Sequence, residues 1–254
     1  MNTILDINRL GLLLKRYFVE NKKRELTFWG IATVIFVLIH LTSSSDKSGL
    51  VEVFLYISGL IFAARTFKIF GYTPGGMHFL LIPATHFEKL VSGIILNTFY
   101  YFGMMMITYT VGTVFGIVAG NIFFETSNPI QFAFFHFDPN INIAGHAGEN
   151  LFSKFIAFAL IQSVFMVGSL YFKRNAAGQT FLALSVFFII LGIIELLLLK
   201  ATFGTYHLNG QMINLSISGD DILFRSKMVG NIIKYSLIPF FWIVAYFRLI
   251  EKQV

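Results

Sequence analysis

Long apolar runs separated by short polar and charged stretches make up most of the sequence after residue 25. A helix that crosses the hydrocarbon core of a bilayer needs about 20 mainly apolar residues. Six stretches meet or approach this length: 26–42, 49–64, 90–119, 151–172, 180–199 and 230–247. The pattern therefore predicts an all-α membrane protein with six transmembrane helices in a single domain, 1–254.

Two segments outside the spans have patterns of their own. Within residues 1–25, apolar side chains recur near helical spacing with charged side chains opposite them, which predicts an N-terminal interfacial helix. Residues 203–218 contain Asn209-Gly210, followed by an alternation of apolar and polar residues. An Asn-Gly pair favours a type I′ turn, so this segment predicts a small extracytoplasmic β-hairpin.

The longest cytoplasmic connection is predicted at residues 65–89. It contains the helix-breaking cluster Pro74-Gly75-Gly76 and a short apolar run from Met77 to Ile82. Thr85 and Glu88 then form a T-x-x-E pattern, which is typical of a helix N-terminal capping box. We therefore expect the third helix to begin near His86.

Composition narrows the class of protein. The chain is 56% apolar and only 13% charged, whereas soluble domains have roughly 45–50% and about 25%. This leaves too little polar surface to cover a soluble globule of 28.8 kDa. With no cysteine in the chain, disulfide frameworks, thiolate nucleophiles and cysteine-held metal centres are excluded as well.

The distribution of basic residues predicts the orientation in the membrane. Thirteen of the 19 Lys and Arg residues lie in the N-terminal segment, in the C-terminal segment, or in the second and fourth connections between predicted spans. Residues 120–150 contain none. Basic residues concentrate on the cytoplasmic side of membrane proteins, so both termini and residues 65–89 are predicted to be cytoplasmic. The loops at 120–150 and 200–229 are then outside a bacterial inner membrane. The net charge of +6 is explained by this topology, without nucleic acid as a partner.

Motifs for catalysis, cofactors or metals are absent from the sequence. There is no G-x-x-x-x-G-K-[ST] phosphate loop, G-x-S-x-G elbow or H-E-x-x-H helix. We therefore expect a chain without catalytic, cofactor or metal sites. His136, Asp138, His146 and Glu149 are metal-ligand types within one outer loop, and they fit a solvated loop better than a metal site. A membrane enzyme that acts on lipid through this loop is a lesser alternative.

Two sets of residues inside the predicted spans suggest contacts between helices. Gly112, Gly116 and Gly120 form a small-xxx-small stripe that allows close helix approach, within this bundle more readily than in a dimer. Glu195 and Lys234 lie at similar depth in the fifth and sixth spans, where an unpaired charge is costly. We predict an intramembrane ion pair between them, with a substrate or proton pathway as the alternative.

The stretch GYTPGGMHFLLIPATHFEKLVSGII, residues 71–95, resembles a part of a known family. In ABC-transporter permeases of the six-helix exporter type, a short apolar segment connects the second and third spans. An LLP-x-[ST]-x-x-[ED]-[KR] run then opens the third helix. The matching run here is Leu80 to Lys89, with Ile82 between the second Leu and the Pro. The layout of spans is also similar to that family.

This resemblance implies a function and partners. The chain would be the membrane subunit of an ATP-driven transporter, with a second permease, identical or homologous, and two separate ATP-binding subunits that hold the ATP and Mg. The expected contacts with those subunits are Tyr72, Met77, His78, Phe79, Leu80 and Leu81, with Glu88 and Lys89 at the base of the third helix. The alternative for the apolar run is burial in the lipid interface.

A second function stays open at this point. The outer loop 120–150 contains six Phe residues and is longer than a connector requires. Such a loop is typical of a surface that lies on the membrane or binds an outer partner. The alternative is therefore a non-transporting membrane scaffold or anchor that recruits an extracytoplasmic partner. For a transporter, spans rich in Phe, Ile and Leu fit a lipid, a peptide or an apolar drug equally well.

Overall fold

The computed structural model describes residues 5–41, 48–67, 81–124, 151–172, 175–203 and 220–251, and every regular element within them is helical. The helices are α1 Ile7–Leu41, α2 Ser48–Thr66, α3 His86–Phe123, α4 Leu151–Tyr171, α5 Ala176–Phe203 and α6 Asp220–Glu251. Helix α3 contains a π-helical segment, Ile95–Tyr100. Helices α1 to α5 are each long and apolar enough to cross a membrane. The sixth predicted span, 230–247, lies within α6, which is not among these five.

Helix α1 joins two elements that were predicted separately, the interfacial helix within residues 1–25 and the span at 26–42. It is one helix of 35 residues. No Gly or Pro occurs between Gly11 and Gly30, so nothing in the local sequence interrupts the helix at the predicted junction. At 1.5 Å per residue α1 is about 50 Å long, which exceeds the roughly 30 Å hydrocarbon core.

The predicted outer loop 200–229 is shorter than expected. Helix α5 continues to Phe203, and α6 begins at Asp220, ten residues before the predicted span. Acidic residues such as Asp220 and Asp221 favour the first turn of a helix, which explains the early start. Apart from Phe203, the predicted hairpin at 203–218 lies outside the described residues.

Helices α1 and α3 run parallel and in contact along almost their whole length. Arg9 pairs with Glu88 near their N-termini, and the rings of Phe36 and Tyr109 meet farther along. Near the other end, Gly120 lies against Leu41. Helix α2 runs in the opposite direction: Phe54 near its start meets Phe36 near the end of α1, and Phe67 just after its last residue lies against Gly93 near the start of α3.

Both ends of the described chain lie at the same end of the bundle. The backbone N–H of Asp6 donates to the Glu88 carboxylate, and the ring of Tyr246 in α6 contacts the ring of Phe87. A cluster of buried apolar side chains fills this end, with Phe67, Leu90, Met166, Leu170, Ala245 and Leu249. We call this end, defined by Asp6, Glu88 and Tyr246, the terminal end.

The glycine stripe of α3 packs inside the bundle. A Cβ atom at Gly112 would lie 2.5 Å from Cβ of Phe36, and one at Gly116 would lie 2.8 Å from the Val37 carbonyl oxygen. Only glycine allows α3 to approach the α1 backbone this closely. The structure thus places the stripe at the contact between α1 and α3.

Candidate functional site

A cavity of about 350 Å³ lies between α1, α2 and α3 toward the terminal end, and we call it the terminal cavity. Its wall is formed by α1 residues between Leu13 and Phe28, α2 residues from Ser58 onward, and α3 residues up to Asn97. Its volume is at the lower end of the range for small-molecule sites. No sequence motif predicts this cavity, because its lining comes from three helices that are distant in the chain.

Glu25 holds the centre of a polar network in the wall of the terminal cavity. Its side chain is buried, with 6% exposed. Its carboxylate accepts hydrogen bonds from the hydroxyls of Tyr17 at 2.8 Å and Tyr100 at 3.4 Å. The indole N–H of Trp29 and a guanidinium N–H of Arg24 donate to it as well, at 3.3 and 3.4 Å. The bond from Tyr100 makes this buried carboxylate a link between α1 and α3.

Sequence reasoning missed Glu25, although a signal was present. Tyr17, Glu25 and Trp29 are spaced at eight and four residues, which places them on one face of a helix. Glu25 ends the charged stretch that precedes the first predicted span. Its burial depends on the contact with Tyr100 of α3. No pattern within α1 indicates that contact.

The charges around the terminal cavity are unequal. Arg16, Arg24, Arg65 and Lys89 are cationic, whereas Glu20 and Glu25 are the only carboxylates in the lining. Each carboxylate has an arginine of α1 beside it: Arg16 Nε lies 2.6 Å from Glu20, and Arg24 lies 3.4 Å from Glu25. Arg65 forms no ion pair with any described residue. The cavity therefore carries an excess of two positive charges.

Asn97 presents a polar group to the terminal cavity from the α3 side. The residue is 1% exposed, and its Oδ1 accepts a hydrogen bond from Oγ1 of Thr66 at 2.7 Å. Its Nδ2 has no hydrogen-bond partner among the described residues. Asn97 lies in the π-helical segment of α3. Such segments are rare and frequently mark functional sites, and a buried amide without a partner calls for a ligand or water.

The base of α3 has the predicted geometry. The helix begins at His86, and Thr85 and Glu88 form the reciprocal capping box: Thr85 Oγ1 accepts from the Glu88 N–H, and the Glu88 carboxylate accepts from the Thr85 N–H. Both the helix start and its cap are therefore confirmed. Glu88 also pairs with Arg9 at 3.1 Å and accepts from the Asp6 N–H at 2.8 Å. One buried carboxylate thus joins the start of α3 to the start of α1.

The residues expected to contact an ATPase subunit fall into three groups. Tyr72, Met77, His78, Phe79 and Leu80 lie outside the described residues. Leu81 is described and is 78% exposed. Glu88 and Lys89 are buried, because the carboxylate caps α3 and the lysine stem packs into the wall of the terminal cavity. The two belong to the interior of the bundle, so we leave them out of the docking surface proposed below.

The predicted pair of Glu195 and Lys234 lies in α5 and α6, but these two side chains are outside the described residues. A different pair connects helices in the described part. Lys154 Nζ lies 2.5 Å from Glu52 Oε1, and it joins the N-terminal turns of α4 and α2. Glu52 and Lys154 also lie at similar depth in the membrane, because each is the fourth residue of its predicted span. Similar depth was the reason for pairing Glu195 with Lys234. That signal was available in the sequence and was not used.

Neither a metal-ligand cluster among the described residues nor a known relative identifies the function of the chain. Among the described residues no group of three or more His, Asp or Glu side chains is arranged to hold a metal ion, and the loop with His136 and His146 lies outside them. No protein-family model matches the chain, and no curated protein or solved structure matches it.

Proposed function

We propose that the chain is the membrane-spanning permease subunit of an ATP-driven exporter of the ABC type. It crosses the bacterial inner membrane six times with both termini in the cytoplasm. It works with a second permease, identical or homologous, and with two separate subunits that bind ATP and Mg. The chain itself is not an enzyme. The observation that carries the proposal is the attachment of the connection between α2 and α3 to two long helices at once.

Glu88 forms that attachment. Its buried carboxylate accepts from the Thr85 N–H at the end of the connection, and it also holds Arg9 and the backbone of Asp6 in α1. A force applied to the connection therefore acts on α1 and α3 together. The two helices stay in close contact as far as Gly120, so they can move as one rigid body. Coupling of ATP binding to a membrane bundle requires such an element.

The apolar run from Met77 to Ile82 supplies the docking surface in this proposal. Leu81 is described, is 78% exposed and lies close to the start of α3. An apolar run outside the predicted spans is typical of a protein contact. We assign it to a groove of the ATP-binding subunit.

A crosslinking experiment in the native host tests the proposal. A photoreactive amino acid replaces Leu81 in the tagged chain, and in a matched control it replaces Val19, an equally apolar and exposed residue of α1. We expect an ATP-binding protein to be crosslinked at position 81 and not at position 19. The purified complex should hydrolyse ATP with vanadate sensitivity.

The substitution Leu81→Asp sharpens the test. It should lower the recovery of the ATP-binding subunit about tenfold, which corresponds to about 1.4 kcal/mol, whereas Val19→Asp leaves it unchanged. Membrane insertion should be equal in both variants. Recovery of an outer-side partner in place of an ATPase would contradict the proposal and favour the scaffold.

A further inference from the structure

We propose that the terminal cavity binds the phosphate group of an anionic phospholipid. This inference concerns the chain alone and does not rest on the proposed function. Four features of the cavity support it: its depth, its charge, its opening and its unpartnered amide.

The terminal cavity lies where three helices pass from charged to apolar sequence. The apolar spans of α1 and α3 begin at residues 26 and 90, and that of α2 ends at residue 64. The lining straddles each of these points, with Arg24 and Phe28 on α1 and with Lys89 and Leu96 on α3. In a membrane this transition coincides with the lipid headgroups. A phosphate in the cavity would therefore be at the depth of its own leaflet.

The charge of the lining selects an anion. Four cations face two carboxylates, and both carboxylates already have an arginine beside them. Arg65 forms no ion pair with a described residue, and its planar guanidinium suits a phosphate group. Basic pockets between membrane helices are a known way to bind anionic headgroups.

The cavity opens sideways, between α1 and α2. The lining residues on this side are exposed, with Arg16 and Glu20 on α1 and with Ile61 and Arg65 on α2. On the opposite side Asn97 and the rest of the α3 wall are buried. Ile61 stands one turn from Arg65 toward the apolar span. An opening with a cation and an apolar residue in this order fits a headgroup followed by its acyl chains.

Asn97 has an unpartnered donor in the α3 wall of the cavity. Its Nδ2 is buried and has no partner among the described residues, while Oδ1 is fixed by Thr66. A phosphate oxygen would satisfy this N–H, and the buried donor would otherwise cost about 1–3 kcal/mol. Arg65 at the opening and Asn97 at the back would then hold the phosphate from two sides.

Native mass spectrometry of the purified full-length chain tests the inference. Phosphatidylglycerol and phosphatidylcholine with the same acyl chains are titrated separately, and glycerol 1-phosphate is added as a soluble competitor. We expect the anionic lipid to bind about tenfold more tightly than the zwitterionic one. Arg65→Gln should lower the affinity for phosphatidylglycerol severalfold and the affinity for phosphatidylcholine less, because the choline cation of the second lipid already offsets the attraction of its phosphate.

Two further variants distinguish binding in the cavity from general attraction of the lipid to the basic end of the protein. Lys23→Gln removes one positive charge from an exposed residue of α1 that does not line the cavity, and it should have no effect. Asn97→Asp keeps the acceptor for Thr66 and replaces the donor by an acceptor, so it should weaken binding at least as much as Arg65→Gln. Thermal unfolding of each variant checks its fold. Arg65 is at the exposed opening, so its variant keeps the test valid if Asn97→Asp does not fold.

Three outcomes would overturn the inference. Equal affinity for the two lipids would exclude recognition of the headgroup charge. Equal losses in Arg65→Gln and Lys23→Gln would show attraction by the whole basic end and no defined site. Displacement of the lipid by an equal concentration of glycerol 1-phosphate would assign the cavity to soluble phosphate compounds.

Discussion

The pair formed by α1 and α3 differs sharply from α5, although all three helices are apolar enough to cross a bilayer. In the most apolar part of α3, 33% of the residues are buried inside the protein, whereas the figure for α5 is 6%. Helix α3 interrupts its apolar residues with Gly112, Gly116 and Asn97. The apolar part of α5 consists mainly of large side chains, and most of them point away from the bundle.

The comparison shows that hydrophobicity does not tell which membrane helices form the core. Lipid tails are as apolar as leucine, so a bilayer gives no hydrophobic reason for two helices to associate. Small residues that allow close approach and buried polar groups that need partners supply that reason. Helix α1 contributes Glu25 and α3 contributes its glycines, whereas the most apolar helix, α5, contributes little.

The largest effect is expected from Glu25. In Glu25→Leu the hydroxyls of Tyr17 and Tyr100 lose their acceptor at partly buried positions, and the indole N–H of Trp29 loses its acceptor at a buried one. Each unsatisfied donor costs about 1–3 kcal/mol, so we expect a loss of about 3 kcal/mol or more in the free energy of unfolding. Equilibrium unfolding in detergent measures it, and Trp29 provides the fluorescence signal.

The matched control for this prediction is Glu20→Leu. Glu20 lies on the same helix in an exposed pair with Arg16, and such pairs contribute about 0.5 kcal/mol or less. Similar losses in the two variants would mean that the Glu25 network does not connect α1 to α3.

Sequence patterns predicted the parts of the fold that depend on neighbouring residues. The start of α3 at His86 and its capping box follow from Thr85 and Glu88 alone, and both are confirmed. The apolar run at 151–172 likewise predicted α4, observed as Leu151–Tyr171. These features need no knowledge of the tertiary structure.

The parts that depend on helix pairing could not be derived in the same way. The pair of Glu52 and Lys154 requires that α2 and α4 be neighbours, and the terminal cavity requires three helices to meet. The prediction for Glu195 and Lys234 rests on similar depth in the membrane alone. Depth shows which residues are level with one another, but not which helices are neighbours. The continuity of α1 was missed because a charged stretch was interpreted as a boundary, although charge does not interrupt a helix.

A smaller effect is expected from the packing of aromatic rings. Phe158 of α4 is fully buried and stacks on Tyr101 of α3, with ring centroids 5.8 Å apart, whereas Phe188 of α5 is largely exposed. Phe158→Ala leaves a cavity, and the cavity term costs roughly 2 kcal/mol. Phe188→Ala should change the free energy of unfolding by less than about 0.5 kcal/mol. The same unfolding assay compares them, and a large loss in Phe188→Ala would show that α5 packs on protein.

The smallest chemical change, one methyl group added to a glycine, tests the contact between α1 and α3 directly. In Gly116→Ala the new Cβ atom would lie 2.8 Å from the Val37 carbonyl oxygen, so α1 and α3 must move apart. Overpacking of this kind costs about 1–3 kcal/mol, and the backbone contact leaves no flexible side chain to yield. Gly192 in α5 has nothing within 4 Å, so Gly192→Ala should be neutral or raise stability by up to about 1 kcal/mol through helix propensity. The unfolding temperatures of the two variants should therefore shift in opposite directions or by clearly different amounts. Equal shifts would mean that the parallel contact between α1 and α3 tolerates a side chain, and that the glycines of α3 are not what brings the two helices together.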